Sequence, residues 1–406
     1  MNFKILALIL LAVAFVYELF LKIIAYRSKN NPVPANVADV YDAETYQKFQ
    51  AYHKENSRVS IISSVVGFAL NLTLFGTDFY SLVGNGISNI YLAMIAVLAV
   101  SLGIDAVSGA VFSYIYHLKI DEKYGFNKMT IKTFIADQIK SFVVSIIIFV
   151  GLMSLYTLIH TALGDWVLAV FGAILVVFIF GVMVLAPKFG KLYNNFVPLE
   201  EGELRTKLVA LLEKNGYSVK EIQVMDASKR TTKSNAYFSG MGKTKTIVLY
   251  DTLVNTMTPD EIVAVFAHEL GHGLHKDIAK NSVISIVQMA VLAVLAWLTT
   301  KFVGIYTDFG FETLNYGFAL LLVMVVEFPI ISPAFSLVAS ALMRKAEYRA
   351  DAHAVKEGYG EALISSLKKL SKENLAHLAP SKIEVALTYS HPTLSQRIDA
   401  IEKLMK

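Results

Sequence analysis

The chain has 406 residues, 55% of them apolar, no cysteine, and a net charge of +4 from 37 basic and 33 acidic side chains. A mean hydropathy of +0.52 excludes an ordinary soluble globule and makes the bilayer a solvent for much of the length. The absence of cysteine excludes disulfides, thiolate nucleophiles and cysteine-held zinc, so any metal must be bound by histidine and carboxylate. The small positive charge offers no argument for a nucleic-acid partner; the lysines read as topology signals and lipid head-group contacts.

Seven segments are long and apolar enough to span a membrane: 3–25, 59–82, 90–118, 141–160, 166–186, 283–304 and 317–340. The first is too long for the core of a cleavable signal and carries Glu18 and Lys22 one turn apart. Lysine and arginine crowd the segments 26–58 and 119–140, whereas the connections 83–89, 161–165 and 305–316 hold none. The positive-inside rule therefore predicts a multi-pass integral membrane protein with its N-terminus outside and the long basic segments, the C-terminus included, in the cytoplasm.

In the first of those segments an amphipathic stretch, 43–54, reads either as a short helix at the membrane surface or as a solvated connector. The second contains KYGFNKMTIKTF, helical from Thr130 onward. Glu18, Asn71, Asp78, Asp105 and Glu327 lie in or near spans, where such groups face a bundle interior or a wet cavity rather than lipid, or simply pair with a neighbour. Pro329 and Pro333 are expected to kink the last span.

From Pro187 the composition turns soluble, with an amphipathic helix ending at Asn215-Gly216, a strand in EIQVMDAS, and a hairpin formed by 235–238 and 246–250 around a Gly-rich turn. A strand edge beside a catalytic helix can hold an extended peptide through Asn235, Ala236 and Tyr237, or it can merely complete a small sheet.

The stretch 258–277, TPDEIVAVFAHELGHGLHKD, names a chemistry. Thr258, Pro259 and Glu261 form a capping box that sets the helix start. His268 and His272, four apart, share a face and can bind one metal ion. Glu269 sits about 100° round the helix, placed to take a proton from an attacking water rather than to ligate. Gly271 leaves room for a substrate or another backbone. His275, one further turn along that face, is a weaker candidate.

After the last span, ASALMRKAEYRADAHAVKEG is helical to Gly358. Glu347 and Asp351 share a face, so a cation near them would relieve their repulsion. Glu347 then serves as third ligand and Asp351 as the group that orients it or an imidazole, unless both are ordinary solvated carboxylates. His391 and Arg397 flank a capped helix near the end; spacing says turn and helix. The chain thus divides into membrane helices at 1–186, a soluble catalytic segment at 187–282, two more membrane helices at 283–340, and a helical catalytic segment at 341–406.

Several of these stretches together resemble the type I CAAX prenyl endopeptidases, integral-membrane zinc metallopeptidases of the gluzincin kind. They are HELGH at 268–272, R-x-x-E-Y-x-A-D at 344–351, SNAYFSG at 234–240, IVLYDTL at 247–253, YGFNKMT in the second loop, and SHPTLSQRIDAI at 390–401. The resemblance implies one Zn2+ held by His268, His272 and Glu347, in a mainly α polytopic protein. Its seven transmembrane helices would form a barrel around a chamber, with an α+β metallopeptidase domain on the cytoplasmic side. It implies prenylated C-terminal peptides as substrates, losing their last three residues. It further implies that Asn235, Ala236 and Tyr237 bind the peptide as an added strand and that His391 and Arg397 stabilise the oxyanion. The longer hydrophilic insertions and C-terminal extension associated with eukaryotic members are missing, which points to a prokaryotic cytoplasmic membrane, the endoplasmic reticulum membrane being the alternative for a eukaryotic chain. Two rivals are a quality-control zinc protease of the heat-shock type and a non-catalytic transporter or binding scaffold. Seven spans argue against the first, and the intact Glu269 against the second.

Overall fold

Apolar segments inside a bilayer must satisfy their own backbone, and in the computed structural model of this chain they do so as helices. The structure describes residues 2–190, 193–233, 235–239 and 244–406. Within them six stretches are long and apolar enough to cross a membrane: Phe3–Ser28, Ala43–Gly76, Ile90–Asp121, Ile131–Val182, Ala279–Lys301 and Tyr316–Lys356. The fourth is not one rod. A helix Ile131–Leu163 ends at Gly164, whose φ of 56° suits a residue without a side chain, and a second helix, Val167–Gly190, begins after a single turn. Tyr156 meets Phe171 edge-on at 5.1 Å, so the two helices lie side by side.

Two boundaries correct the sequence reading. Asp42 caps a helix by accepting from the Thr45 amide at 2.7 Å, and that helix runs unbroken from Ala43 to Gly76. The amphipathic stretch 43–54 is therefore the first part of a membrane rod, because no glycine or proline separates its polar half from its apolar half. The same rod stops at Gly76 rather than 82. Just beyond, Asp78 pairs with Lys4 at 2.9 Å, tying the second span to the start of the first.

Other polar groups in the spans are paired too. Glu18 meets Lys22 at 2.7 Å and accepts from Ser64 at the same distance. Glu327 accepts from Thr299 at 3.4 Å, and its other oxygen is buried without a partner. Glu327 ends a π turn, Leu322–Glu327, which leads into the helix Phe328–Lys356 with Pro333 inside it. The prolines lack backbone donors, and the wider turn before them takes up the misfit.

One end of the bundle is closed by packed aromatics: Phe75, Tyr80, Tyr306, Phe309 and Phe318 are buried in one cluster. Along the first helix Ile5, Ile9, Val13 and Val16 are exposed at helical spacing, the stripe a lipid-facing rod needs.

The soluble part is built on a four-stranded sheet, order β1-β2-β4-β3: β1 Phe196–Pro198, β2 Ser218–Met225, β3 Ala236–Ser239 and β4 Thr244–Tyr250. β2 runs parallel to β4, Ile222 opposite Ile247, and β3 runs antiparallel to it, Phe238 opposite Ile247. β3 is thus an edge. The Gly-rich turn expected at 240–243, and Ser234, lie outside the described residues. A helix Glu203–Lys214 and the HELGH helix cover the sheet, burying Leu208, Leu212, Ile222, Ile247, Leu249 and Phe266 in one core.

Candidate metal centre and active site

The HELGH helix spans Pro259–Leu274, and its start is as expected from the sequence: Thr258 accepts from the Glu261 amide while Glu261 accepts from the Thr258 amide at 2.8 Å. Burial pushes the Glu261 carboxyl up. Lys369, Ser365 and the Thr258 amide more than reverse that, holding it down at about 2. Ile262, Val263, Phe266, Ala267 and Leu270 bury one face, which fixes the rotation of the helix and so the direction of its histidines.

Gly271 serves the second of the two uses open to it. A Cβ there would sit 2.7 Å from the Ala350 Cα, so the missing side chain lets the helix Phe328–Lys356 approach backbone to backbone. That approach brings Glu347 to the two imidazoles. One ligand atom from each of His268, His272 and Glu347 falls within 4.8 Å of the others. His268 Nε2 is 3.5 Å from Glu347 Oε2, and His272 Nε2 is 3.1 Å from Oε1.

Behind each imidazole stands a carboxylate. His268 Nδ1 meets Asp351 at 2.8 Å and His272 Nδ1 meets Asp277 at 3.1 Å. A ring whose Nδ1 faces a carboxylate offers its other nitrogen, Nε2, to a metal, and both Nε2 atoms are turned towards Glu347. Arg397 grips Asp351 through two nitrogens, at 2.9 and 2.6 Å, and reaches Glu347 at 3.4 Å. His391 Nε2 lies 3.3 Å from Glu347 Oε1. Partial burial lowers the His391 pKa against the pull of Glu347, and Arg397 with the two other imidazoles adds to the lowering.

The donor set fits a divalent metal. Glu347 is 3% exposed, and its Oε2 makes no hydrogen bond, with the Arg397 guanidinium 3.4 Å away; a bound metal would complete the compensation of this buried charge. Burial works against a charge on His272, yet Glu347 and Asp277 push its pKa up to about 9, which measures how negative the field is where a cation would sit. Two nitrogens and a carboxylate oxygen suit zinc.

The sequence reading did not include Asp277 and Arg349. Asp277 opens the next membrane helix, Asp277–Lys301, directly after Lys276 turns the chain with a φ of 55°, and Arg349 holds its other oxygen at 2.7 Å. The available signal was its place five residues after His272. His275 stays outside the group, exposed at the C-cap of the HELGH helix. Glu269 is half-buried, near enough that its charge acts on both His272 and Arg397. Asn235 leads into the edge strand: its carbonyl accepts from Tyr250 at 3.1 Å and its side chain accepts from the Ala236 amide at 2.8 Å. Ala236 and Tyr237 then pair with Leu249 and Val248 on β4, and among the described residues no strand lies on the other side of β3.

Comparison with known proteins agrees with this geometry. Residues 198–405 match the model of peptidase family M48, and residues 22–191 match a family described as CAAX prenyl protease N-terminal, five membrane helices. CAAX prenyl protease 1 of Saccharomyces cerevisiae is 31% identical, over 96% of this chain and 92% of the yeast protein. The CAAX prenyl protease 1 homolog of Homo sapiens is 28% identical, over 92% and 89%. The crystal structure of S. mikatae Ste24p superposes with a TM-score of 0.91 at 28% identity, covering 99% of both chains.

Proposed function

The chain belongs to peptidase family M48 and is a multi-pass membrane metalloendopeptidase; we propose that its metal is zinc, held by His268, His272 and Glu347, and that it cuts prenylated peptides near their C-terminus. The family matches favour this over a heat-shock-type quality-control protease and over a non-catalytic transporter or scaffold. The observation that carries the metal assignment is the convergence of two Nε2 atoms on one buried carboxylate, one ligand atom of each residue lying within 4.8 Å of the others.

The chemistry zinc supplies when bound is polarisation of the scissile carbonyl and activation of water. Glu269 takes the proton of the attacking water and returns it to the leaving amine. His391 and Arg397, both within reach of the Glu347 carboxylate, donate to the carbonyl oxygen that takes up negative charge as its carbon becomes tetrahedral, a role worth about 3–4 kcal/mol of barrier. Asp351 holds His268 in the tautomer that ligates. The free edge at Asn235, Ala236 and Tyr237 takes the peptide as a further strand, and backbone hydrogen bonds there make the grip tolerant of side chains.

We count Ile131–Leu163 and Val167–Gly190 as two spans, which makes seven, closing a barrel around a chamber that accepts the prenyl chain. Lysine and arginine distribution supports an N-terminus outside and catalytic segments, 187–282 and 341–406, on the cytoplasmic side; the missing hydrophilic insertions favour a prokaryotic cytoplasmic membrane. The test is zinc content together with cleavage of a farnesylated peptide and its unprenylated twin. One zinc per chain and preferential cleavage of the farnesylated peptide are expected. A protein that binds no zinc, or cuts neither peptide, ends the reading.

A further inference from the structure

We propose that Lys233 binds the free α-carboxylate of the peptide substrate, so that the cavity beside it seats the residues released by the cut. The inference rests on the peptidase reading above and specifies its substrate end. A cavity of about 500 Å³ is lined by Tyr52, Phe112, Tyr116, Asp121 and Lys233, among others. One wall is the π turn Tyr116–Asp121, a distortion that gathers at functional sites.

An ammonium has three donors, and Lys233 spends one on the Tyr52 hydroxyl at 3.2 Å. It lies 4.9 Å from the Phe126 ring centre and has no ion-pair partner among the described residues. The acid of the same lining, Asp121, has both oxygens engaged, one by Tyr52 at 2.9 Å and the other by His117 at 3.1 Å. The cation beside the cavity therefore keeps donors for an incoming anion.

The backbone around Lys233 is held from two sides. The Lys128 amide donates to the Arg230 carbonyl at 3.0 Å, the Thr232 amide to the Phe126 carbonyl at 3.1 Å, and the Thr252 hydroxyl to the Lys233 carbonyl at 3.1 Å. The YGFNKMT loop thus acquires a task, fixing the run-in to the edge strand. Lys233 stands three positions before Ala236, where β3 begins. A peptide added antiparallel to β3 points its C-terminus towards Lys233. Three extended residues cover about 10 Å, and Lys233 stands the same number of positions before Ala236 in the sequence. A scissile bond level with Ala236 and a terminus three residues on then bring carboxylate and ammonium together.

The experiment uses the full-length enzyme and paired peptides that differ only in ending as a carboxylate or a carboxamide. Wild type should cut the acid with a kcat/KM at least about tenfold above the amide. Lys233→Met should collapse that ratio towards one, and Lys233→Arg should keep most of it. A wild-type ratio near one, or an unchanged ratio in Lys233→Met, overturns the proposal while leaving the peptidase intact; a wild type that cuts neither overturns both. Should Lys233→Met be too poorly folded to assay, inhibition of wild type by the tripeptide product decides. The acid should bind at least about tenfold tighter than its amide, and equal binding refutes the assignment.

Discussion

Asp277 faces the Nδ1 of His272 at 3.1 Å, and the same carboxylate is gripped by Arg349 at 2.7 Å. The first residue of a membrane helix therefore orients an imidazole of the metal centre. Replacing Asp277 by Asn should weaken metal binding about 10- to 100-fold by loosening ring orientation and basicity. Competition with a chromophoric chelator measures it, and wild-type affinity in the variant would show that His272 is oriented by something else.

Glu269 offers a cleaner separation of binding from chemistry. The carboxylate is beside the imidazole pair without belonging to the ligand group. Glu269→Gln should retain one metal per chain and lose about 10²- to 10⁴-fold in kcat. Residual cleavage at the wild-type rate would remove it as the base.

The Asp351–Arg397 pair is buried behind the ligands, with side chains 0% and 11% exposed. Asp351→Ala leaves the guanidinium next to His268 with only its 3.4 Å contact to Glu347 and should cost about 3 kcal/mol of stability, read as a shift in thermal unfolding in detergent. The double variant Asp351→Leu with Arg397→Met should regain much of that stability but not the metal affinity. Recovery of both would deny the pair its place behind His268.

Acid stability should depend on Glu261. Its folded pKa is depressed from 4.5 to about 2, so its contribution is complete above 4.5 and is lost as pH falls through about 2. Lys369→Met and Ser365→Ala remove two of the three groups that hold it down. Each variant should narrow the pH dependence of unfolding in that window, while an unaltered acid limb would mean Glu261 is not coupled to folding.

How much of this was legible in the sequence follows from how far each signal reaches. The HELGH helix carries its own start signal, its own periodicity and its own paired histidines, all within one element, so local rules suffice. Glu347 and Asp351 shared a face in the same local sense. Their meeting with His268 depends on Gly271 packing against Ala350, a contact between helices that no spacing rule encodes. Asp277 was hidden because it belongs to the next element. β1 is three residues long and exists only through its pairing with β2. The rod Ala43–Gly76 looked like two elements because its polar and apolar halves meet different solvents, although its backbone does not change.

The helix Phe328–Lys356 carries hydrocarbon-facing residues at one end and Glu347 near the other, with Pro333 but no break between them. Twenty-nine residues at about 1.5 Å each make a lever about 44 Å long. Near the Glu347 end that lever is clamped, because Gly271 lets Ala350 lie backbone to backbone against the HELGH helix, so carboxylate and imidazoles share one junction. A rod long enough to stand in lipid thus delivers a ligand to chemistry done at its tip.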